Sequence, residues 1–104
     1  MDKLALMATL KAKKGKEAEV EKFLRDALPL VENEPGTSTW YALKLDEETY
    51  IIFDTFTDEK GREEHLTGKV AKALEERAGE LFSLNPVIEK LDILAVKMPE
   101  VIQY

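Results

Sequence analysis

The chain has 104 residues, which is the size of one ordinary domain. Hydrophobic residues make up 44% of it and charged residues 35%, a balance typical of globular proteins and not of disordered ones. The lack of cysteine excludes disulfides, thiolate metal sites and cysteine nucleophiles, and the single histidine, His65, excludes a multi-histidine metal centre. The net charge of −6 argues against a nucleic-acid partner, because binding nucleic acid needs a basic face.

Apolar periodicity and turn residues predict seven elements in chain order. They are a strand at Leu4–Leu10, a helix from about Lys16 to Asn33, strands at Thr37–Leu45 and Thr49–Phe56, a short helix from about Glu59 to Leu66, a helix from about Lys69 to Phe82, and a last strand at Val87–Lys97. Pro99 ends that strand, and residues 99–104 form a tail that is free to pack on a neighbour. No repeat or linker interrupts the chain, so residues 1–104 are expected to form one domain.

The β-α-β-β-α-β order predicts a ferredoxin-like α+β fold. In such a fold a four-stranded antiparallel sheet carries its helices on one face, and the first and third strands lie in the centre. The other face should then be polar, with strands that alternate apolar and polar residues. The first strand does not alternate, and Ile93–Val96 are consecutive apolar residues. A large uncovered apolar face usually marks an interface, so we expect a homodimer formed sheet to sheet about a two-fold axis.

Asp54 and His65 are the two residues whose side chains best suit acid–base chemistry. Asp54 lies in an apolar strand and shares a face with Ile52 and Phe56. A buried carboxylate is costly unless it is paired, so Asp54 is either a structural hydrogen-bond acceptor or a functional acid or base in a pocket. His65 lies near the end of the short helix. It titrates near neutral pH and suits proton transfer, although a lone helical histidine is more often a surface or half-buried residue.

Aromatic and basic residues give weaker indications. Trp40 and Tyr41 are adjacent on a strand and therefore point to opposite faces. Either of them packs in the core or an interface, or forms a wall of a cleft between sheet and helices. Arg62 either binds an anionic group or pairs with Asp58 at i−4, and the pairing is favoured. The acidic turn at Asp46–Glu48 is interpreted as solvated, so no metal site is expected, and no phosphate-binding or dinucleotide-binding motif is present.

Three segments are similar to those of one known family. Met7–Leu24 has a strand, a Lys-Gly-Lys-Glu turn and an amphipathic helix, and Glu34–Thr37 is a Glu-Pro-Gly-Thr turn. Phe53–Glu59, followed by His65 and Leu66, matches a Tyr/Phe-Glu-x-Trp-x-Asp/Ser-Glu block that precedes a histidine. In this order and spacing the segments resemble antibiotic biosynthesis monooxygenase (ABM) domains, over about residues 4–98.

The resemblance implies a dimeric α+β barrel with a pocket between sheet and helices in each subunit. Similar members oxidise aromatic polyketides or quinols with O2 and without metal or flavin, and some relatives cleave haem. This chain has Phe56 where family oxygenases often carry Trp, and Val70 where haem-degrading relatives carry the iron-binding histidine. Its first strand also lacks the Asn that those enzymes and several quinol oxidisers use. The departures argue against haem cleavage.

We therefore expect a cofactor-independent monooxygenase that acts on a small aromatic substrate. His65 would be the base or proton donor and Asp54 its orienting group, with pocket walls supplied by Trp40, Phe56 and Phe82. The expected partners are a second copy of the chain and a small aromatic or apolar ligand. Two alternatives remain: a non-catalytic module that binds a small ligand, for example in a stress response, and a structural dimer with a filled core.

Localisation is expected to be cytoplasmic, with no membrane partner. No apolar run approaches the ~20 residues that a spanning helix needs. Residues 1–4 lack the basic segment, apolar stretch and cleavage site of a signal peptide.

Overall fold

The computed structural model describes residues 2–99, which form four strands and three helices. The elements are β1 (Leu4–Lys11), α1 (Glu17–Glu32), β2 (Thr37–Lys44), β3 (Thr49–Phe56), α2 (Glu59–Leu66), α3 (Lys69–Leu81) and β4 (Val87–Asp92). The first six begin and end within one residue of the predicted positions. The turn before α1 is made by Gly15, whose φ of 89° lies in the left-handed region, while the N-cap of the helix is Lys16.

The strands form one antiparallel sheet in the order β2-β3-β1-β4. The predicted fold class and the central position of the first and third strands are thus confirmed. Cross-strand pairing places Trp40, Asp54, Leu6 and Lys90 in one row across the sheet. Because directly paired residues point to the same face, these four side chains all lie on one side.

The helices cover that side of the sheet. The main core joins Leu10, Tyr50 and Ile52 of the sheet to Val20 and Leu74 of the helices, and all five are buried. The spacing of the apolar residues in α1 fits this contact, since its buried positions form a single stripe along the helix. Among residues 2–99 no helix is long and apolar enough to cross a lipid bilayer.

In the described part of the chain, residues 2–99, no helix lies on the opposite face of the sheet. Its residues include Tyr41, which is 53% exposed, and the half-buried Phe53. A groove of about 520 Å³ lies between this face and the segment that follows β4, with Ile93, Val96 and Met98 on the segment side. The face is therefore apolar and uncovered within a single chain, as the lack of alternation in the first strand indicates.

The last strand is shorter than predicted, because it ends at Asp92 and not at Lys97. β4 runs antiparallel to β1, so its end meets the beginning of β1, where Leu4 pairs with Asp92. One more backbone bond follows, from Ile93 N–H to the Lys3 carbonyl, at 2.8 Å. Beyond it β1 offers no further partner, and an apolar sequence alone cannot maintain a strand. The predicted packing of the tail falls partly on residues 100–104, outside the described residues.

Candidate functional site

His65 is held between two carboxylates. Its Nε2 lies 2.7 Å from Oδ2 of Asp54 and its Nδ1 lies 2.5 Å from Oε1 of Glu34. Asp54 is 1% exposed and His65 8% exposed. Both ring nitrogens donate only when the imidazole is protonated, so this arrangement suits an imidazolium between two acceptors.

One strand and one helix position Asp54 and His65. Asp54 projects from β3 towards the helices, in the row that it shares with Leu6 and Trp40. His65 lies in the last turn of α2, where the helix dipole favours a cation. The first turn of that helix is capped by Asp58, whose carboxylate accepts from the Gly61 N–H at 2.8 Å.

Glu34 is the residue that the sequence did not single out for the site. It lies in the turn between α1 and β2, 31 positions before His65. The Thr37 hydroxyl donates to its Oε1 at 2.8 Å, which fixes the carboxylate in place. The available signal was the Glu-Pro-Gly-Thr turn, which was noted for its family resemblance and not for its carboxylate.

Glycines allow the close approach of this turn to α2. A Cβ placed on Gly36 would lie 2.7 Å from the Gly61 Cα, and one on Gly61 would lie 2.6 Å from the Gly36 carbonyl oxygen. A Cβ on Gly68 would lie 3.0 Å from Oε2 of Glu34. Any side chain at Gly36 or Gly61 would therefore separate the turn from the helix and draw Glu34 away from His65.

The electrostatics of the site favour a charged histidine. Burial by itself lowers the pKa of His65, but the hydrogen bonds to Asp54 and Glu34 and the charges of those carboxylates act in the opposite direction. The net result is a pKa raised above the ordinary value of 6.5. His65 therefore keeps its proton at pH values where an exposed histidine begins to lose it.

Two cavities meet at His65. The inner cavity, of about 40 Å³, lies between the sheet and the helices. Its lining consists of Leu6, Ala8, Ile52, Asp54, His65, Leu66, Val70, Ala71, Leu74 and Ile88. The outer pocket, of about 270 Å³, lies beside the turn before β2 and is lined by Glu34, His65, Glu64 and Lys69 among others. Asp54 thus faces the inner cavity, Glu34 faces the outer pocket, and His65 lies between the two.

Two paired residues of the sheet each carry a buried polar atom that lacks a hydrogen-bond partner among residues 2–99. These atoms are Oδ1 of Asp54 and Nε1 of Trp40. Asp54 on β3 and Trp40 on β2 are direct cross-strand partners. A buried polar atom without a partner costs free energy. Of the two residues, only Asp54 lines the inner cavity, so only its free acceptor oxygen can face a group bound there.

The structure brings some of the predicted residues to the site and not others. The Phe56 ring is buried against His65, with ring centroids 5.4 Å apart, but Phe56 and Trp40 line neither cavity. Trp40 is half-buried and packs against the core. Phe82 is buried beside Ala12 at the other end of β1. Leu6, which pairs with Asp54, is six residues away from Ala12, or about 20 Å along a strand, so Phe82 is not brought to the site.

Arg62 does not form the ion pair expected from its spacing. Its Nη2 donates to Oε2 of Glu59 at 2.7 Å, because the carboxylate of Asp58 is occupied as the helix cap. Its Nη1 donates to the carbonyls of Ala5 and Leu91. The buried guanidinium therefore ties α2 to β1 and β4. Across residues 2–99 no group of three or more His, Asp or Glu side chains is arranged to hold a metal ion.

Comparison with known proteins agrees with this architecture. The profile described as antibiotic biosynthesis monooxygenase matches residues 4–77, from β1 into α3. The match includes Glu34, Asp54 and His65. The chain belongs to the antibiotic biosynthesis monooxygenase family. No curated protein shows significant similarity to it.

Solved structures support the same assignment to the ABM family. A protein of unknown function from Nitrosomonas europaea is 48% identical over 97% of this chain and 98% of its own, with a TM-score of 0.92. A candidate antibiotic biosynthesis monooxygenase from Caulobacter crescentus is 28% identical over 90% of this chain and 92% of its own, with a TM-score of 0.77. A protein from Pseudomonas aeruginosa, 22% identical over 91% of this chain and 97% of its own, shares the fold with a TM-score of 0.78.

Proposed function

We propose that this ABM-family protein is a cofactor-independent monooxygenase of a small aromatic substrate with a weakly acidic OH or CH group. The observation that carries the proposal is the carboxylate of Asp54. One of its oxygens is bound to His65, and the other is buried without a partner among residues 2–99, in a residue that lines the inner cavity. A carboxylate with a free acceptor in an apolar cavity suits proton abstraction from a bound ligand.

The base in this proposal is Asp54 and not His65, which the sequence suggested. Both nitrogens of His65 are already bonded to carboxylates, so neither is free to receive a proton from a ligand. His65 instead holds Asp54 in position and compensates its charge. The proposal therefore keeps Asp54 and His65, the two residues selected from the sequence, but makes Asp54 the base and His65 the orienting group.

Cavity size limits how the substrate binds. About 40 Å³ is far below the ~300–1,000 Å³ of sites that enclose a drug-sized ligand. The cavity can hold the acidic group of a substrate but not a whole ring system. Leu66 and Ala71 are half-buried and Ile88 is exposed, so they form an apolar mouth at the β4 edge. We place the aromatic body over this mouth and its acidic group beside Asp54.

A substrate hydroxyl suits the free oxygen of Asp54. A phenolic OH can donate a hydrogen bond, and Oδ1 of Asp54 receives none from residues 2–99. Trp40 lines neither cavity, so we assign it no contact with the ligand.

The chemistry needs no electrons besides those of the substrate. For a CH2 group between two aromatic rings, Asp54 takes one C–H proton and leaves a carbanion that the rings stabilise. The carbanion transfers electrons to O2, and a C–O bond forms to give a peroxide. Loss of the second C–H proton and cleavage of the O–O bond leave a C=O group and release water. One oxygen atom enters the substrate, and the substrate is oxidised by four electrons.

Oxygen uptake tests the proposal. An O2 electrode at neutral pH would compare the wild-type protein with Asp54→Asn on a panel of reduced hydroxynaphthoquinols and anthrones. We expect Asp54→Asn to lose about 10²–10⁴-fold in rate, the usual contribution of a general base. Glu64→Gln, in the outer pocket, is the control and should keep its activity. Wild-type uptake no faster than autoxidation across the panel would contradict the proposal.

A non-catalytic ligand-binding module is the second candidate. It is favoured by the small inner cavity and by Phe56 at a position where family oxygenases often carry Trp. Tight binding of a panel compound without oxygen consumption would support it over the oxygenase.

We also propose that a second copy of the chain covers the open face of the sheet. The apolar residues exposed there include Tyr41, Leu43 and Val87, and patches of this kind usually mark an interface. The cytoplasmic location expected from the sequence stays a prediction.

A further inference from the structure

A continuous set of hydrogen-bonded side chains joins the two cavities. Asp54 lines the inner cavity, Glu34 lines the outer pocket, and His65 lines both. The two links are short, at 2.7 Å from Asp54 to His65 and 2.5 Å from His65 to Glu34. Apart from Asp54 and His65, all the residues that line the inner cavity are apolar.

We propose that Glu34 and His65 form the path along which Asp54 exchanges protons with solvent, and that the outer pocket is the solvent end of this path. The use of the path in turnover rests on the proposed function, whereas the path itself rests on geometry. Glu34 acts through His65 and is therefore a positioning residue for the base.

The path matters most when the inner cavity is filled. A substrate body over the mouth at Leu66, Ala71 and Ile88 would close the direct route from water to Asp54. The remaining polar route passes through His65. An imidazole bonded at both nitrogens takes up a proton at one and releases another at the opposite one without turning its ring.

Proton balance follows from this arrangement. When Asp54 takes a proton from the substrate, His65 can release its Nδ1 proton to Glu34 and from there to water in the outer pocket, so the charge of the buried cluster stays constant. The same path returns a proton when the departing peroxide oxygen is protonated. The reaction as a whole releases no proton, because both hydrogens of the CH2 group leave as water.

Other charged groups near His65 define the controls. Glu64 and Lys69 line the outer pocket with it. The Arg62 guanidinium on the same helix donates to Glu59 and to backbone carbonyls. The two ring nitrogens of His65 are bonded to Asp54 and Glu34, so neither of them is bonded to Glu64. Glu64→Gln therefore removes a carboxylate from the same pocket without interrupting the path.

The single histidine of the chain makes the test direct. In protein without a histidine tag, the imidazole ¹⁵N signals come from His65 alone. NMR would record their titration midpoint, and the exchange rate of the ring N–H with water at a pH where His65 is protonated in every variant. We expect Glu34→Gln, which keeps the shape of the side chain, to lower the midpoint and slow the exchange. Glu64→Gln should leave both at the wild-type values.

Two outcomes would overturn the inference: a Glu34→Gln protein that titrates and exchanges like the wild type, or a Glu64→Gln protein that changes as much as Glu34→Gln. If Glu34→Gln does not fold, Glu34→Asp, which keeps the charge but shortens the reach, should also slow the exchange. If the wild type shows no oxygenase activity, the proposed function fails and the NMR result still decides whether the path exists. If it is active, the pH profile of kcat should shift in Glu34→Gln and not in Glu64→Gln.

Discussion

Replacing Gly36 by alanine should destabilise the protein and loosen the site. The new Cβ would lie 2.7 Å from the Gly61 Cα, where ordinary contacts begin at 3.4 Å. The neighbour is backbone and cannot rotate away, so the turn and α2 must move apart by about 0.7 Å or more. Overpacking of this kind costs ~1–3 kcal/mol, a large part of the ~5–15 kcal/mol that stabilises a typical domain.

The assay is urea unfolding together with the titration of His65. Gly36→Ala should lower the free energy of unfolding by that amount and also lower the titration midpoint of His65, because the turn carries Glu34. Gly79→Ala is a matched control: Gly79 lies in α3, and beyond its own helix no atom of residues 2–99 comes within 4 Å of a new Cβ. It should stabilise the protein by ~0.4–1 kcal/mol, since alanine restricts the unfolded chain more than glycine does.

Two results would refute this reasoning. One is a Gly36→Ala protein as stable as the wild type. The other is additivity of Gly36→Ala and Gly61→Ala, since the two sites are in direct contact and the second change should cost less once the first has separated the segments.

Three further predictions concern charge and assembly. The folded-state pKa of His65 is raised, so protonation of this residue stabilises the fold. The stabilisation is full below about pH 6.5, the pKa of histidine in the unfolded chain, and is lost as pH rises through the folded-state pKa. Urea unfolding across pH should show this loss in the wild type and not in His65→Gln. Burial, together with a hydrogen bond to Glu21, raises the pKa of Tyr50 to about 12. Absorbance titration should show a phenol with this raised pKa in the wild type and not in Tyr50→Phe. The Tyr50→Phe protein should also lose ~0.5–1.5 kcal/mol of stability. Tyr41→Lys on the open sheet face should convert the proposed dimer to a monomer in sedimentation velocity. The control Leu84→Lys, at a position 65% exposed outside the sheet, should leave the dimer intact. A monomeric wild type would contradict the dimer.

Local patterns predicted most of the fold. The stripe of apolar residues in α1 and the alternation that separates Trp40 from Tyr41 depend only on the geometry of one helix or strand, and both agree with the structure. The end of β4 could not be predicted in this way. Residues 93–96 are as apolar as a strand, but their hydrogen-bond partners would have to come from β1, which begins at Leu4.

The candidate site shows the same division. Asp54 stood out because it interrupts an apolar strand, and His65 because it is the single histidine. The contact between Asp54 and His65 depends on how α2 lies on the sheet. The same packing leaves both ring nitrogens of His65 bonded to carboxylates. Glu34 was missed because a glutamate in a polar turn has no pattern that distinguishes it from a solvated residue.

The sequence by itself determined the order of the elements, the antiparallel pairing of the sheet and the family. These follow from short-range periodicity and from motifs in fixed order. Only the tertiary structure decided which carboxylates meet His65. For Glu34 that choice depends on the close contact of Gly36 with Gly61, between segments that are distant along the chain. Long-range packing of this kind brings Asp54 and Glu34 to opposite sides of one imidazole, and no local pattern contains it.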